Sequence, residues 1–303
     1  MPTILFAAPS LWPEYQTTLL HALTEAGVAA KVVTEAAPEE VDYIVYAPSS
    51  PLQDFTPYTR TKAVLSLWAG VERVVGNPTL TQPLTRMVDP ALTEGMVEWV
   101  VGHTLRHHLG MDRHIVNPGH VWDPTCPPLA SERPVTILGM GALGSACAAA
   151  LRALNFPVTG WSRTAKPGCM HGQGGLRQAL TTAQVLVLLL PKTPETENLL
   201  NAETLALLPH GAVILNPGRG ALIDDTALLA ALGRNIDHAT LDVFRIEPLP
   251  QDHPFWTHPR VTVTPHIAAD TRASSAARVI AENIRRGEAG EPFLHVVDRT
   301  RGY

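Results

Sequence analysis

The stretch Pro134-Val-Thr-Ile-Leu-Gly139-Met-Gly141-Ala-Leu-Gly144-Ser-Ala-Cys-Ala-Ala-Ala-Leu-Arg-Ala-Leu154 decides the fold. A β-forming run, Val135–Leu138, ends on the first of three glycines, and an alanine-rich helix opens at the second. In the spacing G-x-G-x-x-G each glycine has a task. Gly139 permits the tight turn, Gly141 lets the main chain approach a pyrophosphate, and Gly144 lets helix and strand pack closely. Ala142 and Leu143 fall in the first helical turn, whose unpaired N–H groups and positive dipole end favour an anion. The spacing alone is a weak signal. The strand before it and the helix after it make it a dinucleotide-binding turn.

Outward from this turn, short apolar runs alternate with helical patterns. Before it, residues 4–8, Lys31–Val33, Tyr43–Tyr46, 63–68 and 86–88 read as strands, and 14–26 reads as an amphipathic helix closed by Gly27. Asp89-Pro90 opens a long helix to about Leu109, with Asp as the cap and Pro in the first turn. After it, 158–161, 185–190, Ala212–Asn216, 239–242 and Val261–Val263 read as strands, and 142–154 and 274–286 as helices. The pattern predicts two doubly wound parallel-sheet α/β domains. The proline-rich stretch 117–134 can be neither helix nor central strand and reads as an ordered surface connector.

Composition narrows the function classes. In 303 residues, 23 Lys+Arg face 28 Asp+Glu, a net charge of −5, and the hydrophobic share is 45%. A disordered chain would be less apolar, and a general nucleic-acid binder would be basic. Charged residues are 17% of the chain, against about 25% in ordinary domains. Cys126, Cys147 and Cys169 are odd in number and widely spaced, which argues against a disulfide framework and fits a reducing cytosol. Runs such as 185–190 fall far short of the ~20 apolar residues that span a bilayer. The expectation is a soluble cytoplasmic protein without nucleic-acid or membrane partners.

The strand after the glycine turn decides the cofactor. An NAD site places an acid about 20 residues on, to hold the ribose hydroxyls. Here the chain offers Ser162, Arg163 and Lys166 and no acid. Hydroxyl and cationic donors suit a 2′-phosphate, so NADP(H) is expected.

Three further strand exits carry unusual polar groups. Arg219 stands between two glycines in Asn216-Pro217-Gly218-Arg219-Gly220, Glu247 lies in 241–250, and His266 lies in Thr264-Pro265-His266. Arginine can clamp a carboxylate in two places. Histidine can exchange a proton near neutral pH, and a carboxylate beside it favours the imidazolium and fixes its tautomer. Singly, Arg219 could be a surface cation, Glu247 a cap before Pro248 and His266 an interior histidine. Together, beside a dinucleotide turn, they point to a reacting site.

With these residues in view, the sequence resembles the D-isomer-specific 2-hydroxyacid dehydrogenases over essentially its whole length. The resemblance rests on GMGALG at 139–144, LLLPKTPETENLL at 188–200, LNPGRGALID at 215–224, LDVFRIEPLP at 241–250 and TPHIA at 264–268. WSR at 161–163 and VDRTRGY at 297–303 make it most similar to the glyoxylate/hydroxypyruvate reductase A branch. The resemblance implies a Rossmann NADP-binding domain at 93–269, carrying a dimerisation helix and connector. A flavodoxin-like substrate domain would comprise 1–92 plus 270–303. It further implies reduction of a small 2-keto acid such as glyoxylate or hydroxypyruvate, by a homodimer. Arg219 would bind the substrate carboxylate and keto oxygen, His266 would supply the proton, and Glu247 would hold His266. Asp242, Pro191 and Pro217 would line the cofactor site. The family grips the carboxylate with the main chain of a Gly-Ala-Gly-Val-Asp turn. This chain reads Trp68-Ala69-Gly70-Val71-Glu72 there, which keeps a nest at Ala69, Gly70 and Val71 but alters its first position. Tyr46 and Trp256 are candidates for the pocket wall, or packing residues.

Other readings are weaker. A different keto acid, or a nucleotide-sensing regulator of the same fold that does not turn over, stays open. A Tyr-xxx-Lys alcohol dehydrogenase is set aside, because Tyr58 and Lys62 precede the glycine turn. His103, His107, His108 and His114 lack the Glu and third ligand of a zinc site, and are expected on a solvent or subunit-contact face. No metal is expected.

Overall fold

The computed structural model describes residues 1–300 and 302, so Arg301 and Tyr303 of the terminal motif lie outside the described residues. The chain divides into two compact units, Met1–Leu92 with Asp270–Tyr303, and Thr93–Ala269. In chain order the first unit supplies β1 (Thr3–Phe6), α1 (Trp12–Glu25), β2 (Lys31–Val33), β3 (Tyr43–Tyr46), β4 (Ala63–Ser66) and β5 (Leu84–Thr85). Helix α2 (Pro90–His108) leads into the second unit. It starts as expected, with Asp89 accepting from the N–H groups of Ala91 and Leu92 at 3.1 and 3.3 Å. There follow α3 (Asp112–Ile115), β6 (Val135–Leu138), α4 (Ala142–Ala153), β7 (Val158–Ser162), β8 (Cys169–His171), α5 (Gly172–Thr181) and β9 (Val185–Leu188). The unit is completed by α6 (Ala202–Leu205), β10 (Ala212–Asn216), α7 (Asp225–Ala231), β11 (Ile236–Leu241) and β12 (Val261–Val263). Helix α8 (Ala273–Ala289) belongs to the first unit.

Among the described residues the first sheet runs β2-β1-β3-β4-β5 and the second β12-β11-β10-β9-β6-β7-β8, with every strand pair parallel. The inner strands β3, β4, β6, β9 and β10 are buried throughout, which is why they read as largely apolar runs. Within one strand, neighbours serve opposite layers. Ile4, Phe6, Tyr43 and Val45 pack with Tyr15 and Leu19 of α1 and Ala277 and Ile280 of α8, while Leu5, Ile44 and Val64 pack on the other side. In the second unit Leu138, Leu186 and Ile214 join the layer of α5 and α7, and Ile137, Val187 and Leu215 the layer of α2 and α4.

The expected strand at 86–88 does not form. The edge strand β5 pairs with β4 only at Leu84 and Thr85. Beyond it, Arg86 N–H donates to His295 O and Met87 N–H to Trp68 O, so the main chain leaves the sheet for other acceptors. The connector 117–134 carries one short 3₁₀ turn, Ala130–Glu132, and is largely exposed.

The histidines of α2 also depart from expectation. His107 stacks on His238 with centroids 4.8 Å apart and bonds Thr240 Oγ1 at 2.9 Å, and His108 packs edge-on against Phe156. Both pack against side chains of the second unit rather than standing free in solvent. The helix buries Leu92, Met96, Val100, Thr104 and His108 at every fourth position, so His108 inherits a core slot.

Burial, reinforced by neighbouring cations, pulls His107 down to about 3 and His238 down to about 4. Both lie below the ~6.5 of an unfolded chain. The unfolded state therefore takes up more protons as pH falls below 6.5. Each histidine should cost about 1.4 kcal/mol of stability per pH unit from there towards its folded value. Urea midpoints should fall between pH 6.5 and 4.5, and less steeply in His238→Gln. A flat midpoint over that range would refute the assignment.

Candidate active site

The carboxyl edge of the second sheet gathers most of the residues singled out in the sequence. All its strands run the same way, so all their exits share one edge. In spatial order stand His266 beyond β12, Glu247 beyond β11, Arg219 beyond β10, and Pro191 beyond β9. The glycine turn beyond β6 comes next, then Ser162, Arg163 and Lys166 at the end of β7. The chain builds outward one way from β6 through β7 to β8, and the other way from β9 to β12. The direction switches between β6 and β9, and open α/β sheets bind ligands at such a switch point.

The glycine turn has the shape that its spacing demands. Gly139 has φ +109°, and a Cβ there would fall 2.4 Å from Leu189 O. A Cβ on Gly144 would fall 1.9 Å from Gly139 O, so helix and turn touch main chain to main chain. At Gly141, the cap of α4, a Cβ would meet nothing within 4 Å. The approach to the first turn of α4, with Ala142 and Leu143, is thus open, and a dinucleotide phosphate fits it. Lys166 reaches back to this turn, its Nζ donating to Met140 O at 2.8 Å. Ser162 is buried, and its hydroxyl donates to Thr164 O at 2.5 Å, which commits its one proton to the loop.

On the other side of the switch point, His266 Nδ1 lies 2.7 Å from Glu247 Oε2, and the second carboxylate oxygen accepts from Phe244 N–H at 2.8 Å. Glu247 is therefore fixed by its own loop before it meets the imidazole. The His266 side chain is 49% exposed, and among the described residues nothing is hydrogen-bonded to Nε2. The pair can hold a proton on Nδ1 and present Nε2 to a ligand.

His266 has φ +55°, a left-handed conformation that costs a non-glycine residue energy and persists only where the surroundings enforce it. They do so through Asp242. Its main-chain oxygen accepts from His266 N–H at 2.8 Å. Its carboxylate, 1% exposed, accepts from Thr264 Oγ1 at 2.6 Å, Ile267 N–H at 2.9 Å and Ala268 N–H at 3.0 Å. The sequence reading puts Asp242 among residues lining the cofactor. The structure turns its carboxylate inward, onto the His266 turn.

Arg219 is held by a neighbour that the sequence reading did not assign. Asn216, at the end of β10, accepts from Gly218 N–H at 3.2 Å and donates to Arg219 O at 3.0 Å. Pro217 is buried beneath this turn. One guanidinium nitrogen of Arg219 donates to Gly218 O at 2.7 Å. A Cβ on Gly220 would lie 2.0 Å from the carbonyl carbon of Phe244, so the Arg219 turn presses directly on the loop that carries Glu247. Asn before Pro-Gly at a strand exit was the available signal.

The remaining candidates divide between the units. Trp256, half exposed in the second unit, donates from Nε1 to Pro250 O at 2.9 Å. Tyr46 belongs to the first unit, is 2% exposed, and packs edge-on against Phe55 in its core. Ala69, Gly70 and Val71 follow β4 at the carboxyl edge of the first sheet. Among the described residues no acceptor takes their three successive N–H groups, an arrangement suited to an anion.

Residues 101–268 match the family model of the D-isomer specific 2-hydroxyacid dehydrogenase NAD-binding domain. A D-isomer specific 2-hydroxyacid dehydrogenase from Xanthobacter autotrophicus Py2, solved with NADPH and MES, is 38% identical over 100% of this chain and 99% of its own, with a TM-score of 0.91. The chain belongs to the D-isomer-specific 2-hydroxyacid dehydrogenase family. An NADPH-dependent glyoxylate/hydroxypyruvate reductase from Sinorhizobium meliloti, solved with NADP and sulfate, is 34% identical over 100% of this chain and 99% of its own, with a TM-score of 0.84. A probable 2-hydroxyacid dehydrogenase from Rhizobium etli CFN 42, solved with NADP, HEPES and L(+)-tartaric acid, is 31% identical with the same coverages and a TM-score of 0.85.

In this dehydrogenase the His266 turn depends on three hydrogen bonds to one buried carboxylate. A hydrogen bond to a charged group is worth ~1.5–3 kcal/mol. Asp242→Asn keeps the volume but turns a donor towards one of the three. It should lower the melting temperature by several degrees and kcat by more than tenfold. Wild-type kcat in Asp242→Asn would show that the turn is held by other contacts.

Proposed function

We propose that the chain is an NADPH-dependent reductase of small 2-keto acids, taking glyoxylate to glycolate and hydroxypyruvate to D-glycerate. The observation that carries the proposal is the 2.7 Å pair of Glu247 and His266, on the same sheet edge as Arg219 and the glycine turn. The Sinorhizobium meliloti relative, an NADPH-dependent glyoxylate/hydroxypyruvate reductase, supports the substrate class, and the NADP complexes of three relatives support the cofactor. The glycine turn and the N-terminus of α4 bind the pyrophosphate, with Pro191 and Pro217 beside it. Arg163 and Lys166 take the 2′-phosphate.

The reduced nicotinamide supplies hydride to the keto carbon. Arg219 binds the substrate carboxylate in two places and leans on the keto oxygen. As negative charge develops on the keto oxygen, His266 donates the proton from Nε2, and Glu247 stabilises the imidazolium through Nδ1. Reduction consumes the proton that His266 donates. The protein acts as a homodimer in the cytoplasm. The apolar side chains Ile115, Val116, Val121, Trp122 and Leu129 after α2, Trp122 at 92% exposure, favour a partner subunit. A monomer mass by light scattering at micromolar concentration would contradict the dimer.

Initial rates with glyoxylate, hydroxypyruvate and pyruvate, each with NADPH and NADH, test the whole assignment. Glyoxylate and hydroxypyruvate with NADPH should lead. His266→Ala should lose at least about a hundredfold in kcat, the lower end of a general acid's contribution; near wild-type turnover would remove His266 from the chemistry. Arg163→Gln should weaken NADPH roughly 10- to 100-fold, the equivalent of one charge-assisted hydrogen bond, and barely affect NADH. Equal efficiency of wild type with both cofactors would sink the NADPH preference.

A further inference from the structure

Arg163 already faces a carboxylate of its own chain. Its Nη1 lies 3.6 Å from Glu195 Oε2. Glu195 comes from a different strand exit, the turn Pro191-Lys192-Thr193-Pro194-Glu195-Thr196 after β9. In the sheet, β7 and β9 flank β6, so this ion pair joins the exits on either side of the strand that carries the glycine turn.

Glu195 is 62% exposed at its side chain, yet the turn beneath it is built. Thr196 Oγ1 donates to Pro191 O at 2.7 Å, Thr193 N–H donates to Thr196 Oγ1 at 2.8 Å, and both threonines are buried. The Thr193 side chain and the Glu195 main chain hold the carboxylate below its usual range, and Arg163 adds to this. Glu195 is therefore ionised at neutral pH and aimed by its turn.

We propose that Glu195 is a specificity-determining residue that competes with the adenosine 2′-phosphate for Arg163. The inference rests on the reading that Arg163 takes this phosphate. NADPH must then displace Glu195 from the guanidinium and carry its phosphate close to a like charge. NADH has no group there and leaves the pair in place. Glu195 thus lowers the preference for NADPH below what Arg163 and Lys166 alone would set. Because the pair is exposed, the competition is modest and screened by salt.

The test is fluorescence titration of the full chain with NADPH and NADH, without substrate, in low and high salt. Glu195→Gln keeps the shape and the contact with Thr193 and removes the charge. It should tighten NADPH about two- to fivefold, the range of an exposed ion pair, with the gain shrinking in high salt and NADH moving less than twofold. The double variant Arg163→Gln/Glu195→Gln should bind NADPH no better than Arg163→Gln. If Arg163→Gln leaves NADPH affinity intact, the reading of Arg163 fails and the inference falls with it. If Arg163→Gln loses affinity but Glu195→Gln gains none, the inference alone is overturned. Weakened NADH binding in Glu195→Gln would also overturn it, by making Glu195 a ligand of the ribose hydroxyls.

Discussion

Parallel pairing is the constraint on which the second unit depends. Parallel strands put every carboxyl end on one edge, and side chains tens of residues apart in sequence then become neighbours. Adjacent strands lie about 4.8 Å apart, so loops after β10, β11 and β12 lie side by side although they begin at Pro217, Asp242 and Thr264. Their nearness is sharpened where Gly220 presses on the Phe244 main chain. The reversal of strand order between β6 and β9 then divides the edge in two, with the glycine turn, Arg163 and Lys166 on one side and the Glu247–His266 pair on the other.

Electrostatics on this edge are local and contested. A net charge of −5 attracts neither a dinucleotide nor a carboxylate. Under the proposed function, attraction comes from Arg163, Lys166, Arg219 and main-chain N–H groups. Several of these cations already have partners within the protein. Lys166 donates to Met140 O, Arg163 faces Glu195, and one Arg219 nitrogen is bonded to Gly218 O. A ligand exchanges these contacts for its own, so its affinity is a difference between two sets of charge-assisted bonds rather than the sum of one.

Much of this was legible in the sequence, for identifiable reasons. Strands buried on both faces are largely apolar, so β3, β6 and β10 have the limits expected of them. The glycine turn was legible because sterics leave no alternative at Gly139 and Gly144. Position along a strand was less informative at an edge. Arg86, Met87 and Val88 have strand-like side chains, and only the carbonyls of His295 and Trp68, distant in sequence, explain why they leave the sheet. The short strand β8 and helix α5 were missed, because Gly172, Gly174 and Gly175 hide a helix from propensity. The direction of a side chain was hardest. Asp242 and Ser162 lie where ligand-lining residues belong, yet donors of the neighbouring His266 turn claim the first and an acceptor of its own loop claims the second.

That last difference bears on how the catalytic turn is stabilised. The left-handed backbone at His266 is a local cost, and no single contact offsets it. Asp242 grips the turn from β11 with its carboxylate and its main chain. From the opposite side α2 packs against it: Ala268 shares a core with Met96 and Val100, and a Cβ on Gly95 would sit 3.6 Å from Ala268 O. Glu247 then meets an imidazole whose backbone has little freedom left. A side chain placed by a strand exit, a buried carboxylate and a helix can be accurately positioned without itself being buried. That is what a residue half open to solvent needs if it is to reach a small substrate in one defined direction.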